Sequence, residues 1–136
     1  LELFDVADPN ACYRRRESVV PQQALALMNS PLALDQGREL SARLTRAAGE
    51  ANDQPSNTAF IVAAFEQVLS RSPTAAEIGV SLRFLAENAR VVQDPANTAF
   101  PAGAKTRLAP ATEPYLRARE NLIHVLFNHN EFVTVR

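Results

Sequence analysis

The stretch FIVAAFEQVLSRSPTAAE, residues 60–77, decides the architecture. Phe60, Ile61, Ala64, Phe65, Val68 and Leu69 recur at the spacing that places apolar side chains on one face of an α-helix, the strongest stripe in the chain. Ser72-Pro73 interrupts that helix, because proline offers no amide and disfavours helical geometry in the residue before it. Thr74-Ala-Ala-Glu77 then reads as a capping box, in which hydroxyl and carboxylate each satisfy a free amide at a new helix start. A helix ends, a tight turn follows and a second helix begins, burying Ile78, Leu82, Leu85, Ala86 and Ala89.

The same punctuation extends upstream. Ser30 can cap and Pro31 fits a first helical position, so a helix is expected from Pro31 to about Ala48, with Ala33, Gly37, Leu40, Leu44 and Ala47 inward and Arg38, Glu39, Arg43 and Arg46 turned elsewhere. Gly49 stops it, and GEANDQPSN (49–57) reads as a polar loop. Before Ser30, PQQALALMN (21–29) suits a short helix ended by Asn29. Residues 1–20 keep no period, and Asp8-Pro9-Asn10 is a turn signal, so an irregular arm is expected there with a short helical end at Leu1 to Phe4.

Downstream, three prolines and a glycine between Val91 and Thr112 predict a long crossing loop with at most a turn of helix. A last helix is expected from Glu113-Pro114 to near Asn128, with Tyr115, Ala118, Leu122, Val125 and Leu126 inward, Ile123 and Phe127 widening that face, and Arg117, Glu120, Asn121 and His124 on the polar side. The expected fold is all-α: one compact domain of about five helices over residues 1–136, with an irregular N-terminal arm and a long loop before the last helix.

Composition agrees. A chain of 136 residues that is 46% hydrophobic and 21% charged has the material for one packed core, and four glycines are few for a turn-rich β fold. Fourteen basic side chains against fifteen acidic ones leave no overall field to gather nucleic acid, so no nucleic-acid partner is expected. No apolar run reaches the roughly 20 residues that cross a bilayer, so no membrane insertion is expected. The start at Leu1 instead of methionine is expected to reflect a processed or excised piece, the C-terminal fragment of a larger protein.

Few residues invite chemistry. HVLFNHNEF (124–132) holds both histidines, but His124 and His129 are five apart, so on a continuous helix they diverge by about 140° and cannot share a metal as an i, i+4 pair does. His124 is expected to be solvated, with Glu120 one turn earlier as its ion-pair partner. His129 and Glu131 form an alternative site only if the helix ends between the histidines. Arg14, Arg15 and Arg16 are the one basic cluster, able to meet an anion, a partner or an acidic polysaccharide, yet Glu2, Asp5, Asp8 and Glu17 nearby can absorb them. Cys12 reads as a small buried hydrophobe. No phosphate-cradling glycine loop or paired-cysteine metal spacing occurs, and no catalytic residue, metal or cofactor is expected.

The strings FDVADPNACYRRR, VPQQALALMNSP, VLSRSPTAAE and LFNHNEFVTV, in this order, resemble the C-terminal part of the planctomycete-specific domain of unknown function number fifteen fifty-three, over nearly the whole chain. The resemblance implies a large exported bacterial protein, often with a second planctomycete domain and a cytochrome-c-like haem domain upstream, and hence an extracytoplasmic setting. It supplies no reaction. The function expected is therefore a structural or protein-interaction module, partnered by the remainder of the parent protein or another protein. The alternatives are part of an extracytoplasmic enzyme acting on carbohydrate or another polymer, with Arg14 to Arg16, His129 and Glu131 at substrate, or a docking partner of a haem domain.

Overall fold

The computed structural model describes residues 30–97 and 105–129. The N-terminal arm, the short helix expected over residues 21–29, Cys12 and the tail from Asn130 lie outside them. Within the described residues the chain is all-α, with no strand. Four α-helices follow in order: α1 Pro31–Ala48, α2 Gln54–Leu69, α3 Ala75–Val91 and, after a 3-10 turn at Pro95–Asn97, α4 Pro114–Phe127.

Each start has a physical cause. Ser30 Oγ accepts from the Ala33 amide at 3.1 Å, with Pro31 in the first turn of α1. Both halves of the expected capping box of α3 form: Thr74 Oγ1 accepts from Glu77 N at 3.2 Å, and Glu77 Oε2 accepts from Thr74 N at 2.7 Å. The start of α2 corrects the sequence reading. Residues 54–57 are helical and not loop, because Asp53 Oδ1 accepts from Ser56 N at 2.8 Å and Pro55 sits in the first turn. The polar character of this stretch was that of a cap and an exposed first turn.

The ends are equally local. Gly49 closes α1 at φ +114°, a backbone conformation that calls for glycine. α2 stops at Leu69, three residues before Ser72-Pro73, with Ser70 left-handed at φ 57°. Asn128 ends α4 as expected, its Nδ2 donating to His124 O at 3.1 Å.

Helix α4 packs on all three other helices, and α2 packs on α1, α3 and α4. The core accordingly centres on the α2 stripe, where Phe60, Ile61 and Ala64 are wholly buried with Phe65 and Val68, meeting Leu44 of α1, Leu85 of α3 and Ala118, Leu122, Ile123 and Leu126 of α4. Full burial of each Phe or Ile contributes about 1.5–3 kcal/mol. Gly37 is buried where α1 meets α4, and a Cβ there would stand in ordinary contact, 3.4 Å from the Phe127 ring. Three inward expectations are overturned: Ala47, Ala86 and Val125 face solvent, while Ser41 and Ser81 are buried instead. Val125 stands off because the buried face of α4 runs 118, 119, 122, 123, 126 and includes a charged residue.

The α2–α3 turn is clamped by Arg71, which donates to Glu77 Oε1 at 2.7 Å and Oε2 at 2.9 Å and lies 5.6 Å from the Phe65 ring centroid. The Arg71 pair and the Thr74 amide hold the Glu77 carboxyl down to about 2 from its ordinary 4.5. A depressed carboxyl pKa stabilises the fold above the unfolded value and loses that contribution as pH falls toward the folded one. The thermal advantage of the wild type over Glu77→Gln is therefore expected to persist at pH 7 and shrink between pH 4.5 and about 2. A gap independent of pH in melts followed by circular dichroism would contradict this.

Candidate functional site

Helix α4 brings two groups of polar side chains inside. The first is Arg119, wholly buried on the same face as Ala118 and Leu122. Its Nη1 donates to Gly49 O at 3.0 Å, its Nη2 to Ala51 O at 3.1 Å and to Asn57 Oδ1 at 2.9 Å, and its Nε to Asn57 Oδ1 at 3.2 Å. The ring centroids of Phe60 and Tyr115 lie 5.0 and 5.9 Å away, within cation–π range. Burial lowers the guanidinium pKa, while Tyr115 and Asp53 act to raise it. Arg119 thus caps the α1–α2 connection from the side.

The second group lies where α1, α4 and the strap of residues 105–111 meet. One turn apart on α1, Asp35 and Arg38 read the strap's backbone. Asp35 accepts from Arg107 N and Leu108 N, each at 2.9 Å, and these two amides hold its carboxyl below the usual range. Arg38 donates to Thr106 Oγ1 at 3.0 Å and to Leu108 O. On α4, both Glu120 oxygens accept from Ala111 N at 3.2 Å, and burial raises this carboxyl despite that amide, Arg38 and Arg117. Beside them is a cleft of about 290 Å³ lined by Ser41, Thr45, Arg46, Tyr115, Leu116 and Glu120, among others. Thr45 Oγ1 is buried there without a hydrogen-bond partner.

His124 corrects the sequence reading. It is half-buried instead of solvated, and its Nδ1 is buried without a hydrogen-bond partner. Glu120 is engaged with the strap amide and makes no ion pair with it. Burial, with Arg38 second, lowers the imidazole pKa, so the ring is neutral at pH 7. His129 follows α4, half-buried, with its amide donating to Leu126 O at 3.0 Å. Arg14, Arg15, Arg16 and Glu131 lie outside the described residues. Among those described, no group of three or more His, Cys, Asp or Glu is placed to hold a metal.

The sequence reading missed Arg38, Arg119, Asp35 and Glu120, and placed Arg38 on the outer face. A signal existed for two of them. Arg38 follows Gly37 and Arg119 follows Ala118, so each sits inside an apolar stripe, although a charge ordinarily marks the solvent side.

The family model PSD1, described as a protein of unknown function (DUF1553), matches residues 1–85, more than half of the 136-residue chain. The matched stretch runs through α1 and α2 to Leu85 in α3. No curated protein and no solved structure matches the chain.

Replacing Arg119 with methionine removes every donor to Gly49 O and Ala51 O while keeping much of the side-chain volume, so unfolding free energy is expected to fall by about 3 kcal/mol or more. Arg119→Lys, with a shorter reach and one donor group, is expected to recover only part. Urea melts that rank Met level with wild type would show the guanidinium to be dispensable.

Proposed function

We propose that this chain, which belongs to the PSD1 family of proteins of unknown function, is a helical interaction module that docks another protein, in the first place the remainder of a larger parent protein. One observation carries the reading. Large aliphatic side chains stand out on three helices and the strap: Leu32 is 70% exposed, with Val80, Val91, Val125 and Leu108 at least two-fifths exposed, whereas Arg119, Arg38, Asp35 and Glu120 are spent on the chain's own backbone. Apolar surface that stays exposed on the described residues is what a partner removes from water. The exported, planctomycete-type parent with a haem domain, and its extracytoplasmic setting, belong to this proposal on the motif resemblance alone.

A ligand-binding reading has one specific support, the cleft between α1 and α4 with the Ser41 and Thr45 hydroxyls, the Tyr115 ring and the Glu120 carboxylate at its walls. At about 290 Å³ it is at the small end of small-molecule sites. It would suit a fragment of a polymer better than a large cofactor. An acidic polysaccharide would instead look to Arg14, Arg15 and Arg16.

Titration calorimetry of this chain against the separately expressed remainder of its parent protein tests the proposal. Binding is expected, and Leu32→Asp or Val125→Asp, both at exposed positions that leave the core intact, is expected to weaken it about tenfold, the loss of one modest hot spot. Absence of binding, or affinity indifferent to both substitutions, sinks the reading.

A further inference from the structure

The outer face of α3 carries a pattern that the described residues leave exposed. At 100° per residue, Ala76, Val80, Arg83, Glu87 and Val91 fall within an arc of about 80°. All five are exposed, Val80 at 56% and Val91 at 51%. Next to this stripe, a Cβ built on Gly79 would meet nothing within 4 Å, so the N-terminal half of the face is open. The steps of four, three, four and four residues approximate the seam along which two helices pair. The side chains of Arg83 and Glu87 make no hydrogen bond or ion pair with each other or with another described residue. Their order, with the cation N-terminal to the anion, is the weaker one for an intrahelical pair.

Resting on the docking reading above, we infer that this face binds a second copy of the chain, α3 against α3 in antiparallel orientation. The charges select the orientation. In a parallel pair Arg83 would face Arg83 and Glu87 would face Glu87 across the two-fold axis. In an antiparallel pair whose axis passes level with Leu85, Arg83 opposes Glu87 twice by symmetry, and Val80 comes within one residue, about 1.5 Å of helix rise, of Val91 on the second copy. Apolar residues at both ends thus flank two complementary ion pairs in the middle. The 17 residues of α3 span roughly 25 Å, and one helix pair of that length buries an area at the low end for specific interfaces, so the dimer is weak and concentration-dependent.

Sedimentation equilibrium of the chain from about 1 μM to about 1 mM reads this directly. A monomer–dimer equilibrium is expected for the wild type. Arg83→Glu alone and Glu87→Arg alone each create two like-charge oppositions and are expected to raise the dissociation constant about tenfold or more. A mixture of the two variants restores association, because an all-acidic face then meets an all-basic one. Val80→Ser, which leaves the charges untouched, weakens the dimer independently, and circular dichroism melts confirm that each variant is folded. A chain monomeric throughout the range, or a dimer indifferent to both reversals and to Val80→Ser, overturns the inference. If parent-protein binding through Leu32 and Val125 survives that result, only the self-association falls.

Discussion

The structure depends on one buried charge. Placing a guanidinium out of water costs several kcal/mol unless its donors are met, and among the described residues Arg119 meets them with two main-chain carbonyls and one amide side chain instead of a carboxylate. The choice of acceptors has a reason. The end of α1 leaves carbonyls without helical partners and carries the negative end of the helix dipole, so a cation arriving from α4 is attracted by the backbone itself. Because Asn57 lies in the first turn of α2, the same side chain fixes α1, α2 and α4 against one another. Phe60 and Tyr115 flank the cation, so the apolar core and the polar lock are continuous.

The strap extends this logic. Asp35 takes two of its amides, Arg38 takes a carbonyl and a hydroxyl, and Glu120 takes a third amide. Only one of these contacts reads a strap side chain. A segment with little regular structure, whose backbone groups would otherwise be exposed or unpaired, is held by charged residues of α1 and α4 acting as substitutes for a helix or sheet ladder. Asn121, donating to Asn88 Oδ1 at 2.7 Å, fastens α4 to α3 in the same manner. The near-neutral composition of the chain thus conceals a deliberate arrangement: many of its charges are internal fasteners and not a surface field.

What the sequence made legible follows from this division. Apolar periodicity with proline and hydroxyl punctuation identified α1, α3, α4 and the body of α2, because those signals act within one turn of the residue that carries them. The Thr74–Glu77 box and the Asn128 stop were readable for the same reason. The first turn of α2 was hidden because Asp53, Pro55 and Ser56 have the composition of a loop while performing the work of a cap. Arg119, Arg38 and Asp35 were illegible as partners because their acceptors and donors lie some 60 to 75 residues away in sequence and are for the most part backbone groups, which carry no sequence identity. Half-burial of His124 is a tertiary effect of helix packing that no local rule contains.

The position of α4 bears on how the matched part of the chain achieves stability. Residues 1–85 bring Leu44, Phe60, Ile61, Ala64, Phe65, Val68 and Leu85 to the core, yet Ala118, Leu122, Ile123 and Leu126, which pack against that cluster, lie beyond the match. The carbonyls of Gly49 and Ala51 also look to Arg119 for their partners. In this chain α4 therefore solves two problems together, presenting an apolar face to the α2 stripe and a donor group to the α1–α2 turn. An arginine one residue after a small side chain, on an otherwise apolar helical face, solves both, since the small Cβ lets the helix close in while the long stem carries the charge to the turn. The constraint comes from the geometry of the turn, so it applies to the fold whatever the exposed faces of α3 and α4 have come to bind.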